Sequence, residues 1–203
     1  MPIRAVVFDI GGVLELTDEG SLTRIWEPRL GLGPGEMGSL LAGVAAAGAV
    51  GAISEQQAGQ RIADILGLDA SQLRAFLADL WTEYLGTLNT ELAAYFAGLR
   101  PRYRTGIISN SFVGARHREQ QRYGFGDMTD LIVYSHEVGM SKPDPRIYQL
   151  ACDGLGVPAA DMVFLDDLPE NVTAARLAGL HGVLFEDTGQ AIADIEALLD
   201  VSG

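Results

Sequence analysis

Residues 3–12 read IRAVVFDIGG, an apolar run that ends at an acidic side chain and is followed shortly by two glycines. Apolar runs of similar length recur along the chain. The five runs are Ile3–Phe8, Thr105–Ile108, Leu131–Tyr134, Met162–Leu165 and Gly182–Phe185. They are nearly continuous rather than alternating, and helix-length segments separate the last four, which is typical of a parallel sheet covered on both faces. The predicted fold class is therefore α/β, with a doubly wound, Rossmann-like parallel sheet.

The segment between the first and second runs is long and has no strand signal. The whole chain has 203 residues, which exceeds the size of about 100 to 150 residues that is usual for one domain. Both facts favour a core domain, residues 1–14 and 88–203, that is interrupted by an all-helical cap domain, residues 15–87.

Several signals in this insertion predict its local structure. Ser54 and Gln57 form an S-x-x-Q capping box, which predicts a helix start at Ser54. Apolar residues at helical spacing predict a second helix from about Ala70 to Leu85. Leu40–Ile53 is apolar but shorter than the roughly 20 residues of a membrane span, so it is predicted to be helical packing surface. The glycine-rich stretch Gly31–Gly38 is predicted to be a mobile loop.

The charge balance limits the classes of partner. Fourteen basic against 27 acidic residues give a net charge of −13. This excess repels a phosphate backbone and anionic lipid, so we expect neither nucleic acid nor a membrane as partner. A small anionic substrate is compatible with it only where a bound cation or a local lysine reverses the field.

Cysteine and histidine usage is sparse. The single Cys152 excludes an internal disulfide, and the N-terminal segment has no secretory leader pattern, so a cytoplasmic location is expected. His117, His136 and His181 lack the spacing of metal ligands and are expected on the surface or in loops. The sequence is compatible with a monomer or a homodimer.

Polar residues directly after apolar runs are the candidates for chemistry, because ligands of an open parallel sheet bind at the carboxyl ends of its strands. Four clusters are found: Asp9 with Gly11 and Gly12, Ser109 with Asn110, Lys142 in GMSKPDP, and Asp166 with Asp167. Each alone is compatible with a turn, a helix cap or a solvated charge. Together they supply an oxygen nucleophile, a hydroxyl, a cation and hard oxygen ligands. Because Mg²⁺ prefers carboxylates together with water and phosphate, Asp9, Asp166 and Asp167 form the predicted magnesium site.

The same clusters, FDIGG, ISNS, GMSKPDP and FLDDLPEN, resemble in order the four motifs of the haloacid dehalogenase superfamily. The segments VYSHEVGMSKPDPRIY and FLDDLPENVTAARLAG look like its sugar-phosphatase-like branch, which has a helical cap after the first motif. The resemblance implies that Asp9 attacks phosphorus and that Ser109 and Lys142 bind the phosphoryl group. It also implies a backbone carbonyl ligand to Mg²⁺ from Gly11.

The function that the resemblance implies is a Mg²⁺-dependent phosphatase that acts on a small phosphorylated metabolite, with sugar phosphates as one such class. The reaction passes through an aspartyl-phosphate on Asp9. Gly11, Gly12, Asn110 and Asn171 are assigned to substrate binding, with Asn110 and Asn171 positioning loops or oxygens by hydrogen bonding. Four arginines of the predicted cap are candidate substrate contacts: Arg24, Arg29, Arg61 and Arg74.

One position departs from the family pattern. Most phosphatases of the family have a second Asp two residues after the nucleophile as general acid, and here that position is Gly11. Losing such a group typically costs roughly 10² to 10⁴ in rate. Three outcomes are open: a slow phosphatase, a preference for acidic leaving groups such as an anomeric phosphate, or a surrogate acid from Glu15, Asp18 or the cap. We favour the second.

Three other functions are weighed against a phosphatase. A metal-free 2-haloacid dehalogenase would use the same Asp9, but the Asp166–Asp167 pair would repel its nucleophilic charge. A phosphorylated receiver-type module carries its acidic pair on the first strand, whereas the pair here follows the fourth run. The third is a weakly active or inactive phosphate-binding homologue, for which Gly11 is the argument.

Overall fold

The structure, a computed structural model, describes residues 2–18 and 20–200. In that part of the chain the strands are β1 (Ala5–Phe8), β2 (Glu15–Leu16), β3 (Thr87–Leu88), β4 (Arg104–Ser109), β5 (Leu131–Tyr134), β6 (Met162–Asp166) and β7 (His181–Leu184). The α-helices are α1 (Ser21–Leu30), α2 (Glu36–Ala49), α3 (Glu55–Leu66), α4 (Ala70–Leu85), α5 (Thr90–Gly98), α6 (Ala115–Tyr123), α7 (Phe125–Met128), α8 (Ser135–Val138), α9 (Pro145–Leu155), α10 (Pro169–Leu177) and α11 (Thr188–Asp200). No helix in the described part has both the length and the apolar character that crossing a bilayer requires.

Five strands form one sheet in the order β5-β4-β1-β6-β7, and every neighbouring pair is parallel. β1 is central, with Ala5 opposite Arg104 on one side and opposite Met162 on the other. The chain first builds outward through β4 and β5, then crosses to β6 and β7 on the other side. A crevice for ligands is expected at the carboxyl end of β1, where the strand order reverses. All five predicted runs overlap these strands, and the predicted α/β fold is confirmed.

Helices cover both faces of the sheet. Val6 and Phe8 face the layer that contains α5 and α11, where Phe8 stacks on Phe96 with ring centroids 4.5 Å apart. Ala5 and Val7 face the layer that contains α9 and α10. Because both faces of β1 are buried, its sequence is apolar without alternation.

Four helices, α1–α4, are inserted between β2 and β3; we call residues 21–85 the helical insertion. β2 and β3 pair antiparallel, with Glu15 opposite Leu88 and Leu16 opposite Thr87, so both connections to the insertion cross one short ladder. The predicted cap, residues 15–87, includes residues of both strands of this ladder and so is not helical throughout, and the division into domains stays a prediction. The insertion is built around a buried apolar cluster, which includes Trp26, Met37, Val44 and Phe76 and is joined by Val113 of the core.

The helix starts in the insertion follow from capping chemistry. Ser54 Oγ accepts from the Gln57 amide at 3.2 Å and Gln57 Oε1 accepts from the Ser54 amide at 2.8 Å, which is the predicted capping box. The predicted helix Ala70–Leu85 is also observed, and a second capping box of Asp69 with Gln72 begins it. Both reciprocal pairs satisfy amides that have no partner within the helix.

The prediction of a loop across Gly31–Gly38 is wrong at its C-terminal end. α2 begins at Glu36, so Gly38 lies inside a helix. Gly35 adopts φ 80°, a left-handed conformation that turns the chain into the helix. α2 then covers most of the apolar stretch that was predicted to be helical, although Leu40 is exposed on it.

The helical insertion contacts the core beyond the β2–β3 ladder as well. Ser135 Oγ at the start of α8 donates to the Ala49 carbonyl at 2.7 Å. The Arg118 guanidinium of α6 lies 3.9 Å from the Trp81 ring centroid and pairs with Glu55 at 2.5 Å. The insertion is therefore held against the core by polar and cation–π contacts.

Candidate active site

Three adjacent strands end at the site. Asp9 follows β1 directly, Ser109 is the last residue of β4, and Asp166 is the last residue of β6. The Asp9 amide donates to the Leu165 carbonyl at 2.9 Å, which continues the sheet ladder and fixes the backbone of Asp9. All three side chains belong to buried residues. The sheet thus brings together residues that are far apart in sequence.

An acidic cluster with one cation lies at this edge. Asp9, Asp166 and Asp167 each offer a carboxylate oxygen within 4.8 Å of the others. Lys142 Nζ lies 2.7 Å from Asp9 Oδ1 and 2.7 Å from Asp166 Oδ2, and its side chain is fully buried. Three carboxylates against one ammonium leave a local excess of negative charge. Oxygen donors with this charge fit a hard divalent cation such as Mg²⁺.

Burial dominates the electrostatics of Asp9. Loss of hydration raises the pKa of its carboxyl to about 7, against the opposing effect of Lys142 and with a further increase from Asp166. The Ile10 amide also donates to Asp9 Oδ1 at 2.7 Å. A positive charge beside a buried carboxyl favours its ionised form.

Asp166 is held by three donors besides the geometry of its strand. Asp166 Oδ1 accepts from the Leu168 amide at 2.9 Å and from Asn171 Nδ2 at 3.0 Å, and Oδ2 accepts from Lys142. Asn171 is buried, and Tyr148 Oη donates to its carbonyl at 2.9 Å. The side chain of Asn171 thus contacts Asp166, and its predicted contact with substrate stays a prediction.

Asn110 fixes the loop that carries the cation. The Lys142 amide donates to Asn110 Oδ1 at 2.8 Å, and Asn110 Nδ2 donates to the Lys142 carbonyl at 2.9 Å. This reciprocal pair places Lys142 without using its ammonium. Asn110 and the neighbouring Ser109 also line a cavity. Their predicted contact with substrate stays a prediction.

The two glycines after Asp9 differ. Gly12 has φ 75°, and a Cβ there would lie 2.3 Å from Asp167 Oδ2, so only glycine fits. Gly11 is exposed, and a Cβ there would meet no atom of the described residues within 4 Å. The position of the family's usual acid is therefore open space.

A cavity of 290 Å³ adjoins Ser109 and Gly11. The core side contributes Ile10, Gly11, Glu15, Thr17, Ser109 and Asn110, and the helical insertion contributes Leu22, Leu80, Glu83 and Tyr84. The four arginines predicted as candidate substrate contacts are absent from the described residues that line the cavity.

Comparison with known proteins gives the family. The sequence profile of haloacid dehalogenase-like hydrolases matches residues 3–179. The chain belongs to this family. The hydrolase is 32% identical over 104 residues to Phosphatase MT3486 of Mycobacterium tuberculosis (48% of each chain), and 31% identical over 116 residues to the phosphoserine phosphatase of Thermus thermophilus (56% of this chain, 46% of the other). The matches thus span about half the length of these relatives.

Solved structures share the hydrolase's fold. The HAD family enzyme bt-2542 of Bacteroides thetaiotaomicron superposes with a TM-score of 0.83 at 19% identity, covering 97% of this chain and 99% of the other. The same enzyme in complex with magnesium and inorganic phosphate gives a TM-score of 0.79 at 19% identity, with coverage of 94% and 98%. At such identities the likeness shows the fold alone.

The hydrolase also has a pair of buried carboxyl groups, Glu15 and Glu119. Glu15 on β2 is 1% exposed, and no described residue bonds its Oε1. Burial, with a further contribution from Glu119 of α6, raises the pKa of Glu15 to about 9. Asp18, the other named surrogate acid, instead pairs with Arg24 in an exposed position. The sequence signal for a buried Glu15 is its position between two leucines, Leu14 and Leu16. No comparable signal marks Glu119.

Proposed function

We propose that the hydrolase is a Mg²⁺-dependent phosphatase that acts on a small phosphorylated metabolite through an aspartyl-phosphate on Asp9. The observation that carries this proposal is the acidic cluster, in which Lys142 Nζ is 2.7 Å from both Asp9 and Asp166. A dianionic phosphoryl group is repelled by a carboxylate nucleophile unless cations lie beside both. An ammonium and a divalent cation at this edge would meet that need.

The residues divide into distinct roles. Asp9, Asp167, Asp166 and the Gly11 carbonyl would hold Mg²⁺, which supplies charge neutralisation for the phosphoryl oxygens when bound. Lys142 and Ser109 would bind the phosphoryl group. Asn171 and Asn110 position Asp166 and Lys142 through the hydrogen bonds described above.

The chemistry proceeds in two displacements. An Asp9 oxygen attacks phosphorus, the ester P–O bond breaks, and the leaving oxygen departs as an alkoxide or phenoxide that takes a proton from water. Water then attacks the aspartyl-phosphate, which releases inorganic phosphate and restores the Asp9 carboxylate. Because Gly11 offers no acid, leaving groups of low pKa, such as the anomeric oxygen of a sugar phosphate, should react faster than simple alcohols.

The helical insertion would act as a cap that excludes water and contacts the leaving group, since α1 and α4 supply part of the cavity wall.

The phosphatases among the relatives, and the magnesium and phosphate complex of bt-2542, support the proposed phosphatase function by analogy. We further propose a monomer or homodimer without nucleic-acid or membrane partners, in keeping with the net charge of −13.

Hydrolysis of 4-nitrophenyl phosphate with Mg²⁺, with EDTA and after restoring Mg²⁺ tests the proposal. We expect turnover only with Mg²⁺, and its loss in Asp9→Asn. The matched control is Asp64→Asn, since Asp64 is an exposed carboxylate of α3. Chelator-insensitive turnover of a 2-haloacid would indicate a dehalogenase instead. A long-lived phosphorylated Asp9 without turnover would indicate a receiver-type module.

A further inference from the structure

The wall that the helical insertion presents to the cavity is mostly apolar. Leu22 of α1 and Leu80 and Tyr84 of α4 supply it, opposite Ile10 of the core. The Tyr84 hydroxyl oxygen accepts from the Phe112 amide at 3.3 Å, and the residue lines the cavity. A leaving group that enters this cavity therefore meets methyl groups and an aromatic ring.

The cavity wall contains no cation among the described residues. Two arginines of α1, the helix that carries Leu22, have partners elsewhere. Arg24 pairs with Asp18 at 2.9 Å, and Arg29 lies over the Trp26 ring at 5.2 Å. A carboxylate or second phosphate on the leaving group would thus lose water without gaining a charged partner, which is unfavourable.

The carboxyl groups of the wall are equally unsuited to binding an ammonium group. Glu83 caps α1: its Oε2 accepts from Ser21 Oγ at 2.6 Å and from the Leu22 amide, and its Oε1 accepts from the Gly20 amide at 3.4 Å. Glu15 is almost fully buried. An ammonium group would have to compete with the donors at the start of α1 for Glu83, or enter the buried site of Glu15.

We propose that the cavity selects phosphate esters whose leaving group is neutral, and rejects esters that carry a second charged group. This inference rests on the proposed phosphatase function and names its substrate class. The volume of 290 Å³ is about twice the 150 Å³ that holds a benzene molecule, so a ring with a short substituent fits. Phosphoserine, which carries a carboxylate and an ammonium, falls outside this class.

The test compares phenyl phosphates with one para substituent each: ethyl, carboxymethyl or aminomethyl. A methylene separates each charge from the ring, so the three phenols are similar as leaving groups and differences in kcat/KM report the cavity. We expect the ethyl ester to exceed both charged esters by at least about tenfold. A charged ester within about threefold of the ethyl ester, or above it, would overturn the proposal.

A change in the wall should reverse the preference. Leu80→Arg places a guanidinium beside the leaving group, and we expect the carboxymethyl ester to gain at least about tenfold relative to the ethyl ester. Leu40→Arg is the matched control, because Leu40 is 47% exposed on α2 and outside the wall. An unchanged preference in a folded Leu80→Arg protein would contradict the assigned wall.

Binding separates this inference from the proposed function. The corresponding benzylphosphonates cannot be hydrolysed, and their binding to the Mg²⁺-loaded protein is measured by the rise in Tm. If no ester is turned over, the phosphatase assignment fails, while tighter binding of the ethyl phosphonate would still support the selection of neutral groups. Equal binding of ethyl and carboxymethyl phosphonates would overturn the inference even in an active enzyme.

Discussion

The two sides of the cavity are built differently. On the core side, Asp166 has three donors and Lys142 is held at its backbone and at its ammonium, so each functional group has one position. On the insertion side, Leu22 and Leu80 are partly buried side chains that contribute surface without directed bonds. The difference indicates that reaction chemistry is fixed by the sheet and leaving-group selection by the helices. The two should therefore respond separately to substitution.

The largest expected effect is at the cation. Lys142→Met removes the ammonium shared by Asp9 and Asp166, and we expect turnover of 4-nitrophenyl phosphate to fall on the order of 10³-fold. Lys142→Arg should fail as well, because the larger guanidinium does not fit a fully buried site. Activity kept by either variant would break the assignment of reaction chemistry to the core side. Leu80→Arg should instead change the substrate preference.

A second test targets the packing around the acidic cluster. Gly12→Ala forces a Cβ against Asp167, so we expect the Mg²⁺ concentration for half-maximal activity to rise about 10- to 100-fold. Gly67→Ala is the matched control: Gly67 also has a positive φ, 65°, but a Cβ there meets no described atom within 4 Å. Equal Mg²⁺ dependence in both variants would show that Asp167 tolerates displacement.

Gly11, on the core side of the cavity, is the position that tests the missing acid. The space beside it accepts a side chain, so Gly11→Asp should fold. We expect the ratio of alkyl to aryl phosphate turnover to rise by about tenfold or more, because alkyl leaving groups depend most on protonation. If the ratio does not rise, missing acid catalysis is not what limits the enzyme.

The smallest expected effect concerns stability. Burial raises the pKa of Glu119 from 4.5 to about 7. The hydrogen bond from the Tyr134 hydroxyl and the charge of Arg116 act in the opposite direction and lower it. Glu15 of β2 is the other carboxyl group that interacts with Glu119. The folded state binds this proton more tightly than the unfolded state, so stability falls as pH rises from 4.5 to 7. Glu119→Gln cannot titrate and should gain about 2 to 3 kcal/mol relative to the parent chain across that window. Urea unfolding at pH 5 and pH 8 measures it.

The control for that measurement is Glu186→Gln, an exposed carboxyl in the loop before α11. Its stability relative to the parent should change little between the two pH values. The same pH trend in both variants would show that general charge repulsion, rather than burial of Glu119, sets the pH dependence.

The sequence predicts the sheet well because each strand is a local apolar run, and the rule for parallel sheets then groups Asp9, Ser109 and Asp166 at one edge. The strand order could not be predicted, since it depends on pairings between distant segments. A further sequence signal for the site is that Lys142 is the only lysine among the 14 lysine and arginine residues. In the structure it is buried between the carboxylates of Asp9 and Asp166. A compact ammonium suits that position better than guanidinium.

The partners of the insertion were harder to predict. Glu83 caps α1 from 62 residues away, and Gly20, the residue before α1, gives no side-chain capping signal. The start of α2 was missed for the same reason, because Gly35 precedes it. The charge interaction between Glu15 and Glu119 could not be predicted either, because only the tertiary structure brings the two residues together.

The β2–β3 ladder has a consequence for how this fold accommodates change. Leu16 and Thr87 are paired neighbours, so the ladder is a hairpin whose connection contains the four helices α1–α4. A tight turn could in principle close the same two strands, and long connections cost little additional closure entropy. Excision or exchange of the connection at this hairpin would leave every strand of the parallel sheet, and the carboxylates at its edge, covalently untouched.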